Sequence, residues 1–290
     1  MKPSPYIPVP ECIVCGETAA KRLFDKAGMD GTKFSLVECL SCRTHFLFPR
    51  PTEDEVARYY GSEYFTKRTD RGYDNYFSPA IRSEIERVIA LNLEGLRFEK
   101  FSSELSSEKR SLDIGCAAGY FVNYLASRGW DAQGIDISEP CTEFAQKKLG
   151  LKVLNGNYLA TTYLGKFDLI TMWATIEHLH HPEKVLAKAH RDLKPGGMIY
   201  ISTCRAGGLN FMRLMGPEWR YYNFPEHLWF FTLPALKRLL KKHGFRPVVS
   251  FTYGSGFGAP KTLTRRIADF IARRFRAGDM MVIGAQKVQD

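Results

Sequence analysis

Residues 110–137, RSLDIGCAAGYFVNYLASRGWDAQGIDI, constrain the fold more than any other stretch of the chain. Ser111 to Ile114 form a short apolar run, and Gly115 and Gly119 permit a sharp turn. Phe121, Val122 and Leu125 then supply one helical face before Gly129 ends it. A second strand finishes on Asp136. In a parallel sheet both turns fall at the carboxyl edge, where ligands collect. A glycine at 115 lets backbone approach a bound molecule with no Cβ in the way, and an acid at 136 can bond a ribose diol. The pattern is that of a nucleoside site.

A dinucleotide fingerprint also places glycines after a strand and an acid about 20 residues on. Here the turn reads Gly-Cys-Ala-Ala-Gly, so the G-x-G-x-x-G spacing is not met. Asp113 sits inside the first strand, where a carboxylate would repel a pyrophosphate and suit a ligand that carries an ammonium group. On these residues the chain resembles the class I S-adenosylmethionine-dependent methyltransferases, whose first motif runs acid-x-Gly-x-Gly-x-Gly, with Ala117 here in place of the middle glycine. The resemblance implies that Asp113, Gly115, Cys116, Ala117 and Gly119 hold the methionine end of the cofactor and that Asp136 holds the ribose. Ile137 and Trp173 are expected to line the same site. In the resembled family the loop after the third strand often bonds the adenine amine. Asn157 occupies that place with an amide oxygen able to accept, and Tyr158 can lie against the ring; either can instead be a plain turn residue.

The seven cysteines divide into two groups. Cys12-x-x-Cys15 and Cys39-x-x-Cys42 form two knuckles separated by 23 residues, room enough for a hairpin. Four thiolates in two such turns can surround one zinc ion tetrahedrally, and the small N-terminal region has few apolar residues with which to fold without it. Four cysteines close the coordination sphere, which argues for a structural ion and makes the adjacent His45 a bystander. Cys116, Cys141 and Cys204 lie in or beside core elements and read as small buried hydrophobes. The two knuckles followed by FPRPT and a Tyr-Tyr pair resemble the N-terminal region of a bacterial methyltransferase subfamily that acts on sugars and other small molecules.

Further along, residues 53–60 and 79–100 read as helices, the second with Ser78 as N-cap and Pro79 in its first turn. FSSELSSEK is a polar linker. Ser138 is expected to cap a helix that runs to Leu149 and stops at Gly150. Lys152–Leu154, Phe167–Met172, MIYIST, FRPVVSFTY and MMVIGAQK complete the strands, and a helix covers Leu233 to His243. Alternation of strands and helices predicts an α/β fold: a doubly wound, Rossmann-like, mainly parallel sheet with a small N-terminal zinc-binding domain. The expected divisions are a zinc-ribbon-like domain at 1–50, a helical connecting region at 51–110 and a methyltransferase domain at 111–290. Acceptor-pocket insertions are expected at 205–231 and 256–277.

Methyl transfer from a sulfonium requires alignment more than covalent help, but a hydroxyl acceptor must lose a proton, and histidine titrates in the right range. His178, just past the fourth strand, is the first candidate for general base. His227, in FPEHLWFF, is the second, and Glu177 can orient one of them. His178, His180 and His181 also raise a metal reading, yet no nearby carboxylate and histidine complete a facial set. The aromatic segment 205–231, with Trp219, Tyr221, Tyr222 and Trp229, can wall a sugar or aromatic acceptor while Arg205, Arg213 or Arg220 binds phosphate; it can equally pack as a plain lid.

Residues 259–276 form a basic amphipathic helix candidate that can cover the pocket, lie on an anionic membrane or contact RNA. The net charge of +10 suits a nucleotide- or lipid-linked sugar as well as nucleic acid. The favoured function is methylation of a hydroxyl or carbon of a sugar or related metabolite. An RNA methyltransferase that reads through the ribbon, and a zinc-braced nucleoside-binding protein without turnover, are the alternatives. No secretory signal or membrane span is legible, and a cytoplasmic location is expected.

Overall fold

A computed structural model describes residues 6–28, 31–57, 65–66, 75–105, 108–207, 212–254, 267, 270 and 272–288. The N-terminal region contributes β1 (Tyr6–Pro8), β2 (Ala19–Ala27), β3 (Lys33–Cys39) and β4 (His45–Leu47). β2 and β3 are the hairpin expected between the knuckles, paired antiparallel from Ala20–Cys39 to Ala27–Lys33. Next come α1 (Glu53–Ala57), α2 (Pro79–Gly95) and α3 (Phe98–Ser103). Ser78 Oγ accepts the Ile81 amide, as an N-cap should. The single helix expected over 79–100 is broken, because Arg97 adopts φ 57 and turns the chain before α3. The far end of the helix expected at 53–60 and most of the basic segment 259–276 lie outside the described residues.

The central unit runs β5 (Arg110–Ile114), α4 (Tyr120–Ala126), β6 (Asp131–Asp136), α5 (Glu139–Leu149), β7 (Lys152–Asn155), β8 (Phe167–Trp173), α6 (Pro182–Asp192) and β9 (Leu193–Cys204). The chain ends with α7 (Met212–Met215), β10 (Trp229–Phe230), α8 (Leu233–Lys242), β11 (Phe245–Tyr253) and β12 (Met280–Lys287). Seven strands order as β11-β12-β9-β8-β5-β6-β7. β5 to β9 pair in parallel, and β12 lies antiparallel between β9 and β11. Strand order reverses between β5 and β8, so their carboxyl ends open a crevice at the switch point.

One departure from the expected helix cap bears on the site. Ser138 stands at the N-cap of α5, but its hydroxyl makes no capping bond. Its amide instead donates to Asp136 Oδ1 at 2.8 Å. A carboxylate ending a strand thus competes with the cap and draws the first turn of the helix toward itself.

The second sheet orders as β1-β2-β3-β4-β10, so its last strand comes from the insertion far along the chain. Trp229 pairs with Phe46, and Phe230 with His45. Leu36, Leu47, Trp229, Leu112 and Ile199 belong to one continuous buried cluster that joins both sheets. No helix among the described residues is long and apolar enough to cross a membrane.

Candidate functional site

A cavity of about 660 Å³ opens at the carboxyl ends of β5, β6 and β8. Asp113, Gly115, Cys116, Ala117, Asp136, Ile137, Asn157, Tyr158, Trp173, His178 and His227 all line it. Of the expected cofactor residues only Gly119 does not: a Cβ there would meet Leu151 at 2.8 Å and Ala145 at 3.1 Å. Its lack of a side chain serves the packing of α4 and α5 behind the turn.

The turn after β5 is built around Asp136. The Ala117 amide donates to Asp136 Oδ2 at 2.8 Å while the Ser138 amide occupies Oδ1. Ala117 itself has φ 44, a left-handed conformation held by that bond although it is not glycine. Burial pushes the Asp136 carboxyl up, and the backbone amides of Ser138, Ala117 and Ile137 oppose that shift. A carboxylate has about four acceptor positions, so lone pairs remain for two hydroxyls in the cavity.

Asp113 is more deeply enclosed. Thr171 Oγ1 donates to its Oδ1 at 2.7 Å. Burial, with a smaller contribution from the Asp136 charge, pushes its carboxyl up to about 8 in spite of that bond. An acid held in this state is poised for a cationic group, whose arrival favours ionisation.

In the loop after β7, Asn157 Oδ1 accepts the Leu159 amide at 2.8 Å and shapes the turn. Tyr158 donates its hydroxyl to Asp192 Oδ2 at 2.7 Å, and Lys188 Nζ lies 4.2 Å from its ring centroid. The side chain is thereby anchored to α6, and the residue closes the cavity from behind.

The opposite wall gathers residues that are distant in sequence. His178 follows β8 in a short 3-10 turn, and its Nδ1 lies 2.8 Å from the Glu226 carbonyl. His227 Nδ1 lies 2.8 Å from the Tyr221 carbonyl. A carbonyl oxygen can only accept, so both Nδ1 atoms carry protons. The two rings meet edge to face with centroids 4.6 Å apart. Glu177 is 1% exposed, and ligand atoms of Glu177, His178 and His227 lie within 4.8 Å of one another. The expectation that no carboxylate and second histidine would stand beside His178 is therefore corrected, since the fold delivers both. His180 and His181 take other duties: His180 Nε2 donates to the Pro51 carbonyl at 3.0 Å, and His181 pairs with Glu183 at 3.3 Å.

Several cavity residues were not legible as site residues. Ile85, Ile89 and Asn92 of α2 line the cavity, as do Ser202 and Tyr253. Their positions read only as core periodicity. Within the aromatic insertion, Trp219 and Tyr222 are buried in an edge-to-face cluster with Phe230, whereas Arg220 and Tyr221 reach the cavity. Arg205 is buried, with Nε donating to the Gly278 carbonyl at 3.0 Å, and does not line the cavity. The Arg213 side chain lies outside the described residues.

The four knuckle thiols form a separate cluster, with their sulfur atoms within 4.8 Å of one another. Cys12 and Cys42 Sγ are 3.7 Å apart, and Cys15 and Cys39 Sγ 3.4 Å. Ligands about 2.3 Å from a tetrahedral zinc ion stand about 3.8 Å from one another, so the donor set fits such an ion. His45 points elsewhere, with Nε2 3.1 Å from Glu38 Oε2.

A family profile described as a methyltransferase domain matches residues 82–250, more than half of the chain. The ubiquinone biosynthesis O-methyltransferase of Methylococcus capsulatus is 33% identical over 151 residues, which are 49% of this chain and 63% of that protein. Its counterpart in Thiobacillus denitrificans is 28% identical over 145 residues, 47% of this chain and 62% of the relative. The chain thus spans less than two thirds of the length of these curated relatives. Among solved structures, an S-adenosylmethionine-dependent methyltransferase from Archaeoglobus fulgidus is similar with a TM-score of 0.50 and 20% identity, covering 68% of this chain and 94% of that one. A Pyrococcus horikoshii protein reaches 0.53 at 16% identity, covering 80% and 98%. These structural likenesses speak for the fold.

Proposed function

We propose that this chain, which belongs to the methyltransferase domain family, methylates a hydroxyl of a small polar acceptor held against His178 and His227. As a family member it is an S-adenosylmethionine-dependent methyltransferase. When bound, the cofactor supplies a methyl group activated by a sulfonium. The chain's own residues grip, orient and deprotonate. Asp113 would pair with the cofactor's ammonium group, Asp136 would accept from its ribose hydroxyls, and the turn from Gly115 to Ala117 would let backbone approach it. Asn157 stands where the adenine edge would lie.

The observation that carries the acceptor reading is the pair of imidazoles whose Nδ1 protons are committed to backbone carbonyls. A neutral imidazole oriented in this way can accept at Nε2, and a hydroxyl placed beside it would pass its proton to nitrogen as its oxygen attacks the methyl carbon. Glu177, buried alongside, stabilises the resulting imidazolium. The polar groups of Asn92, Ser202 and Tyr253, which line the same cavity, suit an acceptor with several hydroxyls, such as a sugar. The curated relatives carry names that specify oxygen methylation, which supports oxygen as the methylated atom.

The test is transfer of labelled methyl from S-adenosylmethionine into fractions of a metabolite extract, with identification of the labelled product. A hydroxylated small molecule bearing a new methyl ether is the expected result. Label found only in RNA, or in no fraction, would remove the reading. The cofactor half has its own check. Asp136→Ala removes charge-assisted bonds of about 1.5–3 kcal/mol, so calorimetry should show S-adenosylhomocysteine binding roughly tenfold to a hundredfold more weakly.

A structural zinc ion on Cys12, Cys15, Cys39 and Cys42 belongs to the same proposal. The convergence of Glu177, His178 and His227 favours one second reading, in which a divalent cation sits there and acidifies the acceptor hydroxyl directly. Elemental analysis separates the two readings. One metal ion per chain leaves the histidines as bases, whereas two, one of them lost in His227→Ala, would assign them as ligands.

A further inference from the structure

The N-terminal thiol module is joined to the acceptor wall by three independent sets of bonds. The first runs through backbone. Leu47 of β4 donates its amide to the Leu228 carbonyl at 3.1 Å, and the Leu228 amide donates to the Glu177 carbonyl at 2.8 Å. A strand of the small sheet is thereby tied to the residue after His227 and, through it, to the residue before His178. The register of β4 against β10 extends the same seam.

The second set is a buried chain of side chains. Glu38, which directly precedes the knuckle residue Cys39, meets Arg43 at 3.1 Å through one oxygen and His45 Nε2 at 3.1 Å through the other. A carboxylate accepts, so Nε2 carries the proton and His45 Nδ1 faces the Tyr222 hydroxyl, 3.4 Å away. Glu38, His45 and Tyr222 are all buried. Tyr222 adjoins Tyr221, whose carbonyl fixes the His227 ring.

The third set lies just past β4. Arg50 stands 4.1 Å over the Trp229 ring and donates to the His180 carbonyl at 3.0 Å, while Trp229 Nε1 donates to the Leu179 carbonyl at 2.9 Å. The cofactor half is held differently, by bonds inside the large sheet such as Gly115 N to the Ile135 carbonyl and Ala117 N to Asp136.

We propose that the four-cysteine module is a positioning part of the acceptor site. A metal ion on Cys12, Cys15, Cys39 and Cys42 fixes the knuckle between β3 and β4, and β4 with the Glu38–His45–Tyr222 chain then holds His178 and His227 in place. His45 is a positioning residue in this arrangement rather than the bystander its spacing suggested. The inference rests on the zinc and acceptor assignments above, but its test needs no acceptor.

The full chain is purified with zinc, its metal content is measured, and amide hydrogen exchange is followed by mass spectrometry before and after chelation. S-adenosylhomocysteine is titrated into both forms. The expected result is exchange at least tenfold faster at 176–180 and 226–231 once the metal has gone, with 111–137 unchanged and S-adenosylhomocysteine affinity within about twofold. Unaltered exchange at 176–180 and 226–231 would overturn the positioning role, and so would an equal loss of protection across 111–137. A purified chain that holds no metal, and gains none when zinc is added, would instead overturn the zinc assignment itself, and the metric that separates these failures is the measured metal content.

Discussion

Asp113→Asn is expected to make the unliganded protein more stable and, at the same time, nearly unable to bind S-adenosylmethionine. The buried Asp113 carboxyl is pushed up to about 8 by burial and the Asp136 charge, while an unfolded chain would ionise it near 4. Between those values the folded state keeps a proton that the unfolded state has released. Stability contributed through this group therefore falls as pH rises from about 4 to about 8 and is level beyond. Asparagine removes that slope. The variant should match the parent near pH 4 and exceed it by up to about 5 kcal/mol near pH 8, as read from denaturant unfolding at each pH.

Binding should move the other way. The cofactor's ammonium group requires the ionised acid, and losing one partner of a buried charge pair costs about 3–5 kcal/mol, or roughly two to three orders of magnitude in Kd. In the parent protein, cofactor binding should release a proton below pH 8, so affinity should climb between pH 6 and pH 7.5. A variant that is destabilised at every pH, or that binds the cofactor normally, would show that Asp113 is a structural acid.

The second large effect concerns transfer. His227→Ala and His178→Ala each remove an imidazole that lines the cavity and is proposed as the base, and general-base contributions amount to about 10²–10⁴-fold in rate. Labelled methyl transfer into the metabolite extract should fall by that factor in at least one of the two variants, while calorimetric affinity for S-adenosylhomocysteine stays the same. Because the rings touch at 4.6 Å, the double variant should cost much less than the product of the single losses. Full transfer in both single variants would exclude the imidazoles as proton acceptors.

That Asp113, Gly115 and Asp136 would line one crevice was largely legible in the sequence because the parts are local. Asp113, the Gly115–Gly119 turn and Asp136 lie within one strand-helix-strand unit, where spacing alone decides which residues share the sheet edge. The acceptor half was legible only as isolated candidates. His178 and His227 each stood out, but their contact depends on the Leu228–Glu177 backbone bond, which no periodicity announces. The two-residue strand Trp229–Phe230 was hidden for a similar reason: a pair that short has no alternation to read. The break at Arg97 arises from a left-handed residue other than glycine, a conformation that composition does not advertise. Ser138 shows the converse, a residue in the expected place whose partner was chosen by a neighbouring carboxylate.

The central claim is that the crevice between Asp113 and Asp136 holds the adenosyl cofactor with its sulfur directed at the histidine pair. A crystal structure of the full chain with S-adenosylhomocysteine tests it most directly. The claim predicts the ribose hydroxyls on Asp136, the amino group at Asp113 and the sulfur facing His178 and His227. Density for the ligand outside this crevice, or with its sulfur turned away from both rings, would contradict it.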